Sequence, residues 1–128
     1  MTCAKQHHIL CIEDETELRE DLVLELRDQG YAVSSAADGL QGLAMAQAQA
    51  FDLVVCDVQL LGLDGFALFE ALRHEGGQSS EAPFIFVTAY SRQLVTLPTG
   101  HSNRIAHLLK PVDYTELGSI IATMITTP

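Results

Sequence analysis

Five side chains in this sequence are of types that could act together on one charged group: the carboxylates of Glu13, Asp14 and Asp57, the hydroxyl of Thr88 and the ammonium of Lys110. They stand at the ends of four short apolar runs, at 9–12, 53–56, 84–87 and 105–109. If those runs are parallel strands, their C-terminal ends share one edge of the sheet, which is where α/β folds place their sites. Three carboxylates about 4 Å apart would repel by roughly 4 kcal/mol per pair at an effective dielectric near 20, and one lysine offsets only part of that. A divalent cation would remove the conflict. Oxygen-only donors that leave room for water and phosphate oxygens suit Mg²⁺. The alternative is a buried polar network with one proton held on a carboxylate.

The elements needed to bring these residues together are legible. The apolar runs alternate with stretches of helical period along the whole length, a βαβα pattern with a parallel sheet as its consequence. Solid runs such as 9–12 and 53–56 read as strands buried on both faces, and 31–36 reads as a weaker strand. Helices are expected over 16–29, with Leu18, Leu22 and Leu26 on one face and Gly30 as the stop, and from Asp38-Gly39 through the Ala/Gln tract to residue 50, with Leu40, Leu43 and Ala44 on one face. A third helix spans 65–75 on Phe66, Phe69 and Leu72, before Gly76-Gly77. A last one follows Asp113, with Glu116 completing a capping-box-like start and Leu117, Ile120, Ile121, Met124 and Ile125 in one stripe. If that stripe exceeds what one sheet face can cover, a homodimer is the next expectation. Between 90 and 104, Val95, Thr96, Pro98 and Gly100 disfavour a long helix.

Composition narrows the function classes. The chain has 128 residues, 48% of them apolar, which suits one self-sufficient domain over 1–128. Its 17 acids against 7 lysines and arginines give a net charge of -10, which argues against direct nucleic-acid binding and against docking on anionic lipid. Three cysteines are too few for a disulfide framework, residues 1–8 lack the apolar core of a signal peptide, and no apolar run reaches the length of a membrane span. A cytoplasmic protein is expected.

The blocks Ile9-Leu10-Cys11-Ile12-Glu13-Asp14-Glu15, Ala37-Asp38-Gly39-Leu40-Gln41-Gly42-Leu43, Asp52-Leu53-Val54-Val55-Cys56-Asp57, Leu63-Asp64-Gly65-Phe66, Val87-Thr88-Ala89 and Leu109-Lys110-Pro111 together resemble the receiver domain of two-component response regulators. The resemblance covers nearly the whole chain. It implies a doubly wound, flavodoxin-like α/β fold, with a five-stranded parallel sheet in the order 2-1-3-4-5 and helices on both faces. It also implies a phosphoacceptor switch: Asp57 takes a phosphoryl group from the phosphohistidine of a sensor histidine kinase or phosphotransfer protein. The chain would catalyse its own phosphorylation and dephosphorylation rather than turn over a substrate. By the same resemblance Asp14 and Asp57 bind Mg²⁺ with the backbone carbonyl of Gln59, Glu13 helps directly or through water, Lys110 and Thr88 meet the phosphoryl oxygens, and Pro111 follows a cis bond that aims Lys110. The readout is expected in the family's fourth helix, fifth strand and fifth helix, and from there in an effector or output domain.

The departures fall on the signalling side. Leu60-Leu61 stands where the family usually has Met-Pro, His107 occupies the position of the family's switch aromatic, and 96–103 replaces a regular fourth helix and the turn after it. A degenerate receiver that serves as a phosphorylation-independent binding scaffold is therefore the alternative. A hydrolase with Asp57 as nucleophile would need a second carboxylate where Gln59 stands. Cys11 and Cys56, in neighbouring strands, read as small buried hydrophobes rather than a redox pair, and His7-His8 as a solvated terminus. No output motif follows residue 113, so the chain is expected to be either a stand-alone receiver or part of a longer protein.

Overall fold

The computed structural model describes residues 6–60, 62–89 and 105–126. Five strands and four helices follow one another as β1 (His8–Ile12), α1 (Thr16–Asp28), β2 (Ala32–Ala36), α2 (Gly39–Ala48), β3 (Leu53–Asp57), α3 (Gly65–Glu75), β4 (Phe84–Thr88), β5 (Ile105–Leu109) and α4 (Tyr114–Thr126). All neighbouring strands pair in parallel, in the order β2-β1-β3-β4-β5. This is the doubly wound sheet expected from the sequence. The expectations about the segment 90–104 and the residue pair Leu60-Leu61 fall wholly or partly outside the described residues.

Alternation along the strands divides the core in two. Leu10, Ile12, Val54, Cys56, Phe84 and Phe86 face α2 and α3, where Ala46, Leu68, Phe69 and Leu72 meet them. Ile9, Cys11, Leu53, Val55, Ile85, Val87 and Leu108 face Leu22 and Leu26 of α1 and Leu117 and Ile121 of α4. A strand covered on both sides has no solvent face, which is why β3 and β4 are buried at every position and read as unbroken apolar runs. Each large apolar side chain buried in this way contributes about 1.5–3 kcal/mol relative to exposure. Ile120, Met124 and Ile125 of α4 remain only partly buried.

Helix starts follow local chemistry. Asp38, Asp64 and Asp113 accept hydrogen bonds from the backbone N–H of Gln41, Ala67 and Glu116 at 2.8, 2.8 and 3.1 Å. α1 ends before Gly30, whose φ of 102° is the left-handed turn that stops the helix.

Three expectations need correction. α2 ends at Ala48, short of the Ala/Gln tract's end, and it packs through small residues: Gly39, Gly42 and Ala46 are buried while Leu40 is 63% exposed. A Cβ at Gly42 would come within 2.5 Å of Ile12 Cδ1, so the helix lies too close to the sheet for a larger residue there. His8 is not a solvated terminus either. It belongs to β1, stacks against Phe51 with ring centroids 4.6 Å apart, and its Nε2 lies 2.8 Å from Ser34 Oγ.

Candidate functional site

The C-terminal ends of β1, β3, β4 and β5 deliver the predicted residues to one edge. Glu13 directly follows β1, Asp57 ends β3 and Thr88 ends β4, and all three are buried. Lys110 directly follows β5, held there by its backbone N–H donating to Thr88 O at 2.8 Å, and the bond to Pro111 is cis.

Carboxylate oxygens of Glu13, Asp14 and Asp57 lie within 4.8 Å of one another. Lys110 Nζ donates to Asp57 Oδ2 at 2.9 Å and stands 3.4 Å from Glu13 Oε1. The second oxygens of Asp57 and Glu13 also have partners: Asp57 Oδ1 accepts from the Gln59 N–H at 3.1 Å, and Glu13 Oε2 from the Glu15 N–H at 3.0 Å. Arg19 braces the acidic turn from outside, donating to the Glu13 carbonyl at 2.9 Å. No sequence signal pointed to Arg19, which sits among the acids of α1 and is placed only by the turn folding back over it.

The electrostatics follow from this packing. Burial, aided by the charge of Asp57, pushes the Glu13 carboxyl up to about 7, against the hydrogen bond from Glu15 and the charge of Lys110. Burial works to lower the Lys110 pKa, but the hydrogen bond and charge of Asp57, with the charge of Glu13, more than offset it, so the ammonium is held charged above its ordinary range. Among the described residues one side-chain cation thus serves three carboxylates, and a cluster of this kind either binds a proton or takes up a further cation. An all-oxygen set fits a hard divalent ion such as Mg²⁺.

The site's other predicted members are spread differently. Gln59 is exposed in the loop after β3. His107 is exposed on the edge strand β5, opposite Phe86 in register. Cys11 and Cys56 do not approach as a pair: Cys11 is opposite Val55 while Cys56 is opposite Ile12, so they enter different cores. Burial pushes the Cys11 thiol up to about 12 and raises that of Cys56 as well, where the charge of Asp57 adds to it. Both thiols are kept protonated.

Residues 9–122 match the family model of the response regulator receiver domain. The chain belongs to that family. The receiver domain is similar to the transcriptional regulatory protein AfsQ1 of Streptomyces coelicolor, 35% identical over 104 residues that cover 81% of this chain and 44% of that protein. It thus spans about half, or less, of the curated relatives it matches. Among solved structures it resembles the receiver domain of the sensor histidine kinase PA1611 from Pseudomonas aeruginosa, with a TM-score of 0.83 and 26% identity over 96% of this chain and 100% of that one; a magnesium ion is coordinated in that protein's active-site cleft. It also resembles the response regulator TrrA of Thermotoga maritima in complex with Mg²⁺ and beryllofluoride, with a TM-score of 0.79 and 26% identity over 93% and 99% of the two chains. Among the described residues of this receiver domain, no helix is long and apolar enough to cross a membrane.

Proposed function

We propose that Asp57 is the phosphoacceptor of this receiver domain and that Glu13, Asp14, Asp57 and the Gln59 carbonyl hold Mg²⁺ beside it. The observation that carries the reading is the ammonium of Lys110 set 2.9 Å from Asp57 Oδ2, in a cluster of three carboxylates with room for a further cation's charge. A bound Mg²⁺ would supply charge neutralisation for the phosphoryl oxygens. An Asp57 oxygen attacks the phosphorus of a phosphohistidine, the P–N bond breaks as the P–O bond forms, and the imidazole leaves with the bonding pair. Lys110 stabilises the charge that Asp57 shares with the incoming group, and the Thr88 hydroxyl, at the end of the adjacent strand, meets one phosphoryl oxygen. The donor is a sensor histidine kinase or a phosphotransfer protein. The reaction modifies the chain itself, and its readout passes through β4, β5, with His107 at the switch position, and α4 to an effector or output domain. The whole chain acts as one cytoplasmic switch, and a homodimer through the partly buried stripe of α4 is part of the same proposal.

Intact mass after incubation with acetyl phosphate and Mg²⁺ tests it. One added phosphoryl group, absent in Asp57→Asn, is the expected result. No addition to the wild type, with acetyl phosphate or with kinase donors, favours the scaffold reading instead.

A further inference from the structure

The stretch Asp38-Gly39-Leu40-Gln41-Gly42 has no part in the chemistry above, yet the first turn of α2 is seated against the loop that follows Asp57. A Cβ on Gly39 would lie 1.9 Å from the Leu63 carbonyl oxygen and 2.8 Å from its carbonyl carbon. The obstacle is backbone, which cannot swing aside as a side chain can. Gly39 is not among the glycines with positive φ, so its backbone conformation is open to any residue and its requirement is space alone.

We propose that Gly39 is a positioning residue for the cation site: by letting α2 close onto Leu63, it sets the course of the loop whose Gln59 carbonyl would serve the cation. The inference rests on the proposed Mg²⁺ site. Three observations direct a displacement at Leu63 towards Gln59. Asp38 caps α2, and Gln41 Oε1 accepts from the Ala37 N–H at 2.9 Å, which ties down the start of the helix. Gly42 rests on Ile12, so the helix has its depth set from the sheet side. The far end of the loop is pinned where the Gly65 N–H donates to Val58 O at 2.8 Å and a Cβ on Gly65 would lie 2.4 Å from Asp57 O. With both ends held, the middle of the loop has to take up the movement. Leu40 adds a softer contact: although 63% exposed, its side chain lies 3.7 Å from where a Cβ on Gly62 would stand.

The matched control is Gly77, whose Cβ would lie 2.7 Å from Gln47 Cα and whose φ is 117°. It presses on the opposite end of the same helix, away from the site. Mg²⁺ affinity is measured by MgCl₂ titration, following the amides of Gln59 and Gly65, and stability is measured separately by urea unfolding. Both Gly39→Ala and Gly77→Ala should be less stable than wild type. Of these two glycine variants, only Gly39→Ala should move the Gln59 and Leu63 amides before Mg²⁺ is added and weaken Mg²⁺ binding, by about tenfold or more. Leu40→Ala, a surface change that leaves folding intact, should weaken it by a smaller factor. Wild-type affinity in both Gly39→Ala and Leu40→Ala overturns the proposal, as does an equal loss in Gly77→Ala. Should Gly39→Ala fail to fold, unchanged affinity in Leu40→Ala overturns it. Absence of Mg²⁺ binding by the wild type overturns the cation site itself, and this inference with it, a result distinct from any difference among the variants.

Discussion

Lys110 Nζ donates to Asp57 Oδ2 at 2.9 Å, and the same ammonium stands 3.4 Å from Glu13 Oε1. It is a positive charge set against two of the carboxylates that would hold a divalent cation, and so repels that cation. Lys110→Met should therefore tighten Mg²⁺ binding, by about tenfold (~1.4 kcal/mol), because a like charge is removed. It should at the same time slow phosphorylation by acetyl phosphate. Calorimetric titration and intact mass measure the two effects, and weaker Mg²⁺ binding in the variant would contradict the arrangement.

Stability should fall with rising pH in the absence of Mg²⁺. The Glu13 carboxyl is raised by burial from an ordinary 4.5 to about 7 in the folded chain. The stability that comes from holding this proton is fully present below the unfolded value and is lost as pH climbs through the folded one, a change of up to about 3 kcal/mol. Urea unfolding at about pH 5 and pH 8 reads it. Saturating Mg²⁺ should flatten the dependence, since ion and proton compete for the same oxygens, and an equally steep fall with Mg²⁺ present would count against that competition.

Beryllofluoride with Mg²⁺ should shift the amides of Thr88, Leu109 and Lys110. The Lys110 N–H donates to Thr88 O at 2.8 Å, so a pull on either side chain reaches the backbone they share. Asp57→Asn should show none of these shifts. Unchanged wild-type spectra would remove the proposed readout through β4 and β5.

Arg73 should matter to stability although it stands away from the site. Its guanidinium lies 4.4 Å from the Phe69 ring centroid and 5.7 Å from that of Phe84, and it donates to the carbonyls of Ser80 and Ala82. Arg73→Ala should cost about 2–3 kcal/mol in urea unfolding. Arg73→Lys should recover only part, because an ammonium cannot lie flat on two rings while donating to two carbonyls.

Ser79 is a second such point. Its buried hydroxyl accepts from the Phe51 N–H at 2.7 Å and donates to Gln49 O at 2.5 Å, joining the loop before β3 to the loop before β4. Ser79→Ala leaves both backbone groups unpaired and should cost about 2 kcal/mol. A loss within experimental error would mean that water replaces the hydroxyl.

Features governed by short-range physics can be read directly from the order of residues. Strands covered on both faces must be apolar at consecutive positions, so 9–12, 53–56 and 84–87 announced β1, β3 and β4. Asp38 and Asp113 marked helix starts because a carboxylate satisfies N–H groups only three residues away. That Glu13, Asp14, Asp57, Thr88 and Lys110 gather at one edge was legible because a parallel sheet sends every strand end there.

Which surfaces touch depends on how the folded elements pack. Periodicity gives weight to large apolar residues and put Leu40 on the buried face of α2, yet Leu40 is exposed, and Gly42 and Ala46 make the contact because the helix runs too close to Ile12 for anything larger. Cys11 and Cys56 lie in neighbouring strands but enter opposite cores, since the register pairs Cys56 with Ile12 and side chains alternate between the two faces. His8, Ser79 and Arg19 find partners 26, 28 and 6 residues away. Local propensity carries no record of such distances, because the partners meet only when the sheet has closed and the loops have been laid across its ends.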